Sequence, residues 1–219
     1  MKRVNGIWLP GYEEEMVRFI EHRASMLEGR GSYQRAKWER AIALCRPHRR
    51  VALDIGAHVG MWSIPLSRAF DRVYAFEPHA LHRQCFERNL QDRDNVVLIP
   101  SAVGETPGMA TLSTEDRSSG DTHIVLTGCG QLAPICRIDD VIGSEIPVDL
   151  VKLDCEGYEL PALRGAEQTL RRWQPTVVVE QKPQHADRYG FEPQAACKFL
   201  EALGAQLVAE IVGDFYYRW

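Results

Sequence analysis

The sequence predicts an α/β protein built on an open, mostly parallel sheet that closes with an antiparallel hairpin. Three observations carry this. From residue 51 onward, apolar runs of strand length alternate with amphipathic helical stretches, the pattern of parallel strands joined by covering helices. The runs VALDI, VDLVKLD and TVVVE are strongly apolar and carry carboxylates at or near their ends, as strands buried under helices on both faces do. The segment AQLVAEIVGDFYYRW holds two strand-like halves around Gly213-Asp214, a hairpin signal.

Each element follows in order. Residues 12–28 carry Met16, Phe19, Ile20 and Leu27 at helical spacing, and 32–45 form a second helical stretch that stops before Pro47. Residues 1–47 are thus expected to be a helical cap that covers the sheet edge or shields a ligand, with 48–219 as the main domain of one globular unit. Strand 51–55, helix 61–70, strand 73–76, helix 79–91 and strand 96–99 then make half a doubly wound sheet. The stretch Ser101 to Pro147 is rich in Gly, Ser, Thr and Asp, with short β-like pieces at MATLST, HIVLT and ICRI. It is an excursion over the carboxyl edge of the sheet, either building a substrate pocket or decorating the surface. Strand 148–154, helix ELPALRGAEQTLRRW, strand 176–180 and the final pair complete seven strands.

Composition narrows the function. With 219 residues, 45% hydrophobic and 26% charged, the chain can bury one sizeable core. Its net charge of −4 offers no basic footprint, which disfavours nucleic acid as a partner. The run RPHRR at 46–50 immediately precedes a core strand and fits a solvated loop. Six scattered cysteines without a Cys-x-x-Cys pair suggest neither a zinc knuckle nor a redox dithiol, and point to a reducing, cytoplasmic setting. Apolar runs fall short of a membrane span, so no membrane association is expected, and MKRVNGIWLP lacks the core of a signal peptide. Oligomeric state is left open.

The loop after the first strand indicates the ligand. In VALDIGAHVG, Asp54 ends the strand and Gly56 and Gly60 bracket Ala57, His58 and Val59. Bare backbone here can approach a ligand at the carboxyl end of a central strand. Dinucleotide sites instead use Gly-x-Gly-x-x-Gly to seat a pyrophosphate on a helix N-terminus, and an acidic residue opening the loop repels that group. Glu77 directly follows the second strand, where a carboxylate can accept hydrogen bonds from both ribose hydroxyls. A cationic nucleoside, S-adenosylmethionine, fits this arrangement better than a nicotinamide cofactor.

An acidic cluster is the candidate for catalysis. Asp154 and Glu156 follow the fourth strand and Glu180 ends the fifth; side by side, these ends converge near the methyl group. Transfer to a hydroxyl requires alignment and removal of a proton. Glu180 could take that proton, with Lys182 orienting a polar acceptor. The three carboxylates could instead ligate a divalent metal, or Glu156 and Glu180 could merely cap loops and helices. His123 is the second candidate for the base. His58 and His79 are placed to touch ligand, and His82 is spaced to face outward on its helix. Cys155, flanked by two acids, is expected to have a raised thiol pKa.

Taken together, DIGAHVGMWSIPLS, VYAFEPHALHRQCFERNL, SAVGE, RIDDVI, VDLVKLDCEGYELPALRGAEQTL and PTVVVEQK resemble the FkbM-type family of S-adenosylmethionine-dependent methyltransferases. The resemblance runs in order from about residue 51 to 182 and implies a Rossmann-like class I methyltransferase fold. It also implies O-methylation of a sugar, glycan or small-metabolite hydroxyl. Asp54, with the backbone of Gly56, Ala57 and Gly60, is expected to hold the methionine end of the cofactor, and Glu77 its ribose. Pro78 directs the chain past the site, and Ser101 and Ala102 frame adenine. His58 replaces the middle glycine of many such loops. An accessory module that binds cofactor without turnover is the competing function class, and a nicotinamide-dependent oxidoreductase a third.

Overall fold

The structure is a computed structural model that describes residues 1–113 and 118–219. Five strands run parallel: β1 Val51–Ile55, β2 Arg72–Phe76, β3 Val96–Ile99, β4 Val148–Leu153 and β5 Thr176–Glu180. Strands β6 Gln206–Ile211 and β7 Asp214–Arg218 add an antiparallel pair, and the order across the sheet is β6-β7-β5-β4-β1-β2-β3. Chain order therefore reverses at β1, between β2 and β4. That switch point is where open α/β sheets bind ligands, beyond the carboxyl ends of the strands. The register aligns those ends, with Ile55 opposite both Phe76 and Leu153.

All of β1 and β4 is buried, which explains why they are apolar apart from Asp54, Asp149 and Lys152, whose charges are paired. One face carries helices α5 Ile138–Val141, α6 Glu159–Arg164, α7 Glu167–Trp173 and α9 Ala195–Ala202, whose Ile138, Leu163, Leu170 and Leu200 pack on Leu53, Val151 and Val177. The other face carries α2 Arg35–Leu44 and α3 Ser63–Ala69, where Trp38, Leu66 and Phe70 meet Leu150, Val178 and Tyr216. Helix α4 Ala80–Asn89 packs against Ile7–Leu9. Burying side chains of this size contributes roughly 1.5–3 kcal/mol each before the entropy of ordering is set against it. Among the described residues, no helix is long and apolar enough to cross a membrane.

Several expected boundaries change. The helix expected over 12–28 is confined to α1, Glu15–His22, and two short hairpins flank it, Lys2–Val4 with Ile7–Leu9 and Met26–Leu27 with Arg30–Gly31. Their two-residue turns, Asn5-Gly6 and Glu28-Gly29, take positive φ at both positions, as right-twisted hairpins require. The N-terminal segment is thus mixed rather than purely helical. The helix expected over 159–173 breaks at Gly165-Ala166. A Cβ on Gly165 would lie 2.0 Å from the Gly104 carbonyl oxygen, so the break admits a neighbouring backbone. The last turn is Val212-Gly213, because Ile211 pairs with Asp214. Helices α8 Pro183–Ala186 and α9 were not anticipated.

The excursion after β3 forms its own four-stranded sheet, ordered Ile124–Val125, Gly108–Leu112, Gln131–Cys136 and Ala102–Val103. Thr114 of the MATLST piece lies outside the described residues. This small sheet stands over the carboxyl edge of the large one, and its residues 119–124 complete a cleft.

Candidate functional site

The cleft contains about 660 Å3 of space, part of it open to solvent. Ile55, Phe76, Val103, Leu112 and Ile124 supply apolar walls, while Glu77, Ser101 and Asp154 supply polar groups. Gly56 lines it with φ +73°, and a Cβ there would stand 1.9 Å from the Asp154 carbonyl oxygen. Glycine at 56 is therefore required by both backbone conformation and space. His58 also adopts positive φ, 53°, a conformation that costs a non-glycine residue about 1 kcal/mol or more. Its N–H is thereby delivered to Glu77 Oε2 at 2.8 Å.

Glu77 is 5% exposed and accepts the His79 N–H at 2.8 Å through Oε1, with His82 Nδ1 at 3.3 Å. Burial alone raises a carboxyl pKa; the His82, His58 and His79 interactions outweigh it and hold Glu77 down at about 2. The group is a carboxylate at every physiological pH. His82 does not face outward as the helical spacing suggested: it is 1% exposed, drawn in by Glu77. Its Nε2, like Nδ1 of His79, is buried with no hydrogen-bond partner among the described residues. His58 is held neutral by burial and by His82, with a pKa near 3, and its Nε2 lies 2.7 Å from Ser119 Oγ across the cleft. Pro78, Ser101 and Ala102 line the wall, and the Ser101 hydroxyl is turned to the Ala102 and Pro134 carbonyls.

Asp54 is placed otherwise than expected. It is fully buried, accepts the Ser63 hydroxyl at 2.7 Å and pairs with Lys152 Nζ at 3.2 Å. Together with Ala57 and Gly60 it lies behind the residues that line the cleft. The cause is register: Lys152 of β4 stands directly opposite Asp54, and a lysine in a buried strand must find an anion and acceptors. It finds Asp54, the Gly56 carbonyl at 2.8 Å and the Ile55 carbonyl at 3.3 Å, and the charges of Asp54 and Asp154 raise its pKa despite burial. Asp54 therefore shapes the loop through Lys152, while Gly60 admits Leu90 and Phe86, 2.3 and 3.0 Å from its would-be Cβ.

Asp154, Glu156 and Glu180 do come together, one oxygen of each lying within 4.8 Å of the others. Lys182 Nζ sits 2.9 Å from Glu180 and 3.3 Å from Glu156, and His185 Nδ1 is 2.6 Å from Glu156. Burial first, then the charge of Asp154, pushes Glu156 up to about 8 and Glu180 up to about 9. The trio therefore retains a proton near neutrality and can either exchange it or bind a cation, an organic sulfonium or a metal ion, through oxygen. Glu156 faces Lys182 and His185 rather than capping a helix; its φ of 53° and that of Gly157, 105°, turn it inward. Glu159, at the start of α6, instead ties down the preceding loop by accepting the Cys155 and Gly157 N–H groups at 2.9 and 3.0 Å. His123 lines the cleft with Nδ1 occupied by the Asp121 carbonyl and the Ser113 hydroxyl, at 2.8 and 3.2 Å. Cys155 has a raised thiol pKa, burial being the main cause and Glu159 the next.

Sequence reasoning missed Lys152, Glu159 and Glu13. The first was visible as a lone cation inside an apolar strand. Glu13 is 1% exposed and binds both the N–H and the hydroxyl of Ser119 as well as the Met16 N–H. It ties the N-terminal segment to the wall of the cleft, 106 residues away in sequence.

Comparison with known proteins agrees with this architecture. Residues 54–207 match the methyltransferase FkbM domain. Methyltransferase 1 of Beauveria bassiana (strain ARSEF 2860) is 25% identical over 169 residues, 61% of this chain and 65% of that protein. The FkbM methyltransferase structure from Methylobacillus flagellatus KT superposes with a TM-score of 0.56 at 19% identity, covering 86% of this chain and 47% of that one. A Streptococcus mutans protein solved with S-adenosylhomocysteine gives 0.53 at 11% identity, covering 84% and 97%. This chain thus spans just under two thirds of the fungal relative and about half of the Methylobacillus chain. With the domain match covering most of its length over a class I methyltransferase fold, the chain belongs to the FkbM methyltransferase family.

Proposed function

We propose that this chain is an S-adenosylmethionine-dependent O-methyltransferase acting on a hydroxyl of a sugar, glycan or small metabolite. The observation that carries the reading is the layout of one cleft: an ionised Glu77 beside apolar walls, with Asp154 and Glu156 also in its lining and Glu180 within 4.8 Å of both. The donor set suits the cofactor. Glu77 can accept from a ribose diol, the apolar walls can enclose adenine, and the unpartnered nitrogens of His79 and His82 lie buried around Glu77.

When bound, the cofactor supplies a sulfonium-activated methyl carbon. The residues of this chain then have two tasks. Asp154 and Glu180, with Lys182 held between Glu180 and Glu156, orient a hydroxyl. Glu180 receives its proton, and a carboxyl raised toward the working pH is better suited to this than an ordinary one. A cation beside the trio favours its deprotonated form. The six cysteines, all free thiols in the structure, support a reducing, cytoplasmic setting.

Calorimetry with S-adenosylhomocysteine and radiolabelled methyl transfer to a panel of carbohydrates and hydroxylated metabolites tests the reading. Wild type is expected to bind and to turn over, and Glu77→Gln to bind about 10–150-fold more weakly, as loss of charge-assisted hydrogen bonds worth about 1.5–3 kcal/mol implies. Binding without turnover of any acceptor would indicate an accessory module. NAD binding in place of S-adenosylhomocysteine would overturn the cofactor assignment.

A further inference from the structure

A second, larger groove lies between α1 and residues 118–120, with about 1130 Å3 of space open to solvent on one side. Met16, Phe19 and Tyr33 give it an apolar floor, and Glu15, Arg18, His22 and Arg23 a polar rim. It shares a wall with the cofactor cleft: Gly120 lines both, and Glu13, which lines the groove, is bonded to Ser119, which lines the cleft. Tyr33, in its lining, stands just before α2. Its neighbour Gln34 accepts the Trp62 indole N–H at 2.8 Å, fixing this turn to the cofactor loop. Helix α2, which follows, is locked to β7 by the buried Lys37–Asp214 pair at 2.6 Å.

We propose that this groove is the acceptor site and that Phe19 and Tyr33 select a hydroxylated ring. The inference rests on the methyltransferase reading above. The rings of Phe19 and Tyr33 meet edge to face at 5.0 Å and 77°, forming an aromatic corner against which the C–H face of a sugar ring can lie. The rim charges can hydrogen-bond its hydroxyls. The Tyr33 phenol feels both Asp154 and Glu180, which add to burial in keeping it protonated. It is thus a hydrogen-bond donor in the lining of the groove, available to a hydroxyl of the acceptor. Small acceptors of this kind enter from the N-terminal side rather than through the cofactor cleft.

The test uses the full chain saturated with S-adenosylhomocysteine, or with radiolabelled cofactor for turnover, and a panel of methyl glycosides of hexoses, 6-deoxyhexoses and uronic acids. Saturation-transfer NMR reads binding and label transfer reads methylation. Phe19→Ala is expected to raise the acceptor KM about tenfold or more, Tyr33→Phe to lower kcat, and neither to change affinity for S-adenosylhomocysteine. If Phe19→Ala fails to fold, Met16→Trp, which fills the groove, is expected to abolish glycoside binding. Methylation insensitive to all three variants overturns the groove assignment and leaves the proposed function standing. Glycosides that bind and are released by the variants, yet are never methylated, uphold the groove and overturn sugar methylation. No binding and no methylation of any glycoside overturns both.

Discussion

Lys152→Met is the most informative single perturbation of this fold. Lysine and its partner Asp54 have side chains 5% and 0% exposed, 3.2 Å apart. Methionine preserves most of the volume and removes the charge. Asp54 is then left in the sheet with the Ser63 hydroxyl as its remaining side-chain donor, and the Gly56 carbonyl loses its 2.8 Å ammonium contact. Stranding one member of a buried pair costs about 3–5 kcal/mol. At about 2–4 °C per kcal/mol for a chain of this size, Tm falls by about 6–20 °C. The assay is reversible urea denaturation alongside calorimetric melting, repeated for Asp54→Asn and for the double variant. The double is expected to be less destabilised than the sum of the singles by more than about 1 kcal/mol, because Asn no longer demands a cation. A Tm within about 2 °C of wild type, or single effects that add within about 0.5 kcal/mol, would refute the argument that this pair organises the loop.

Three further outcomes are expected. Because Glu156 and Glu180 have folded pKa values of about 8 and about 9, above the ordinary carboxylate range, the folded state holds protons that the unfolded state has released. Stability from this pair is therefore full below the ordinary carboxylate pKa and is lost as pH rises toward 9; Glu180→Gln should flatten the fall of Tm measured between about pH 5 and pH 9. Gly56→Ala places a methyl group 1.9 Å from the Asp154 carbonyl oxygen at φ +73° and should cost about 3 kcal/mol or more; a soluble variant that still binds S-adenosylhomocysteine normally would contradict this. Val212→Asn relieves a β-branched residue at φ 48° that is 86% exposed in the final turn and should raise Tm by about 2–4 °C, with no change in cofactor affinity.

The large sheet was legible because its strands are mainly apolar for a simple reason: both faces are covered, so VALDI, VDLVKL and TVVV admit charge only where it is paired, as at Asp54, Asp149 and Lys152. The same reasoning made the meeting of Asp154, Glu156 and Glu180 foreseeable, since neighbouring parallel strands end together. The N-terminal hairpins were hidden by strands of two or three residues, too short to show alternation, although Asn5-Gly6 was a turn signal in plain view. His82 was misplaced because helical spacing describes a helix in isolation, whereas a carboxylate buried five residues earlier recruits a partner. The pairing of Asp54 with Lys152 depends on register between strands almost a hundred residues apart, which the apolar pattern alone does not specify.

The bond between Lys37 and Asp214 spans 177 positions of chain, and that distance sets an order of events during synthesis. At about 5–20 residues per second, the lysine is made roughly 10–35 s before its carboxylate exists. Until β7 emerges, the β5 edge of the sheet also lacks its outer neighbour, so an exposed strand and an unanswered cation wait together on the ribosome. A nascent chain stalled before residue 214 should accordingly engage holdase chaperones, and release of the last strand pair should end that engagement in one step.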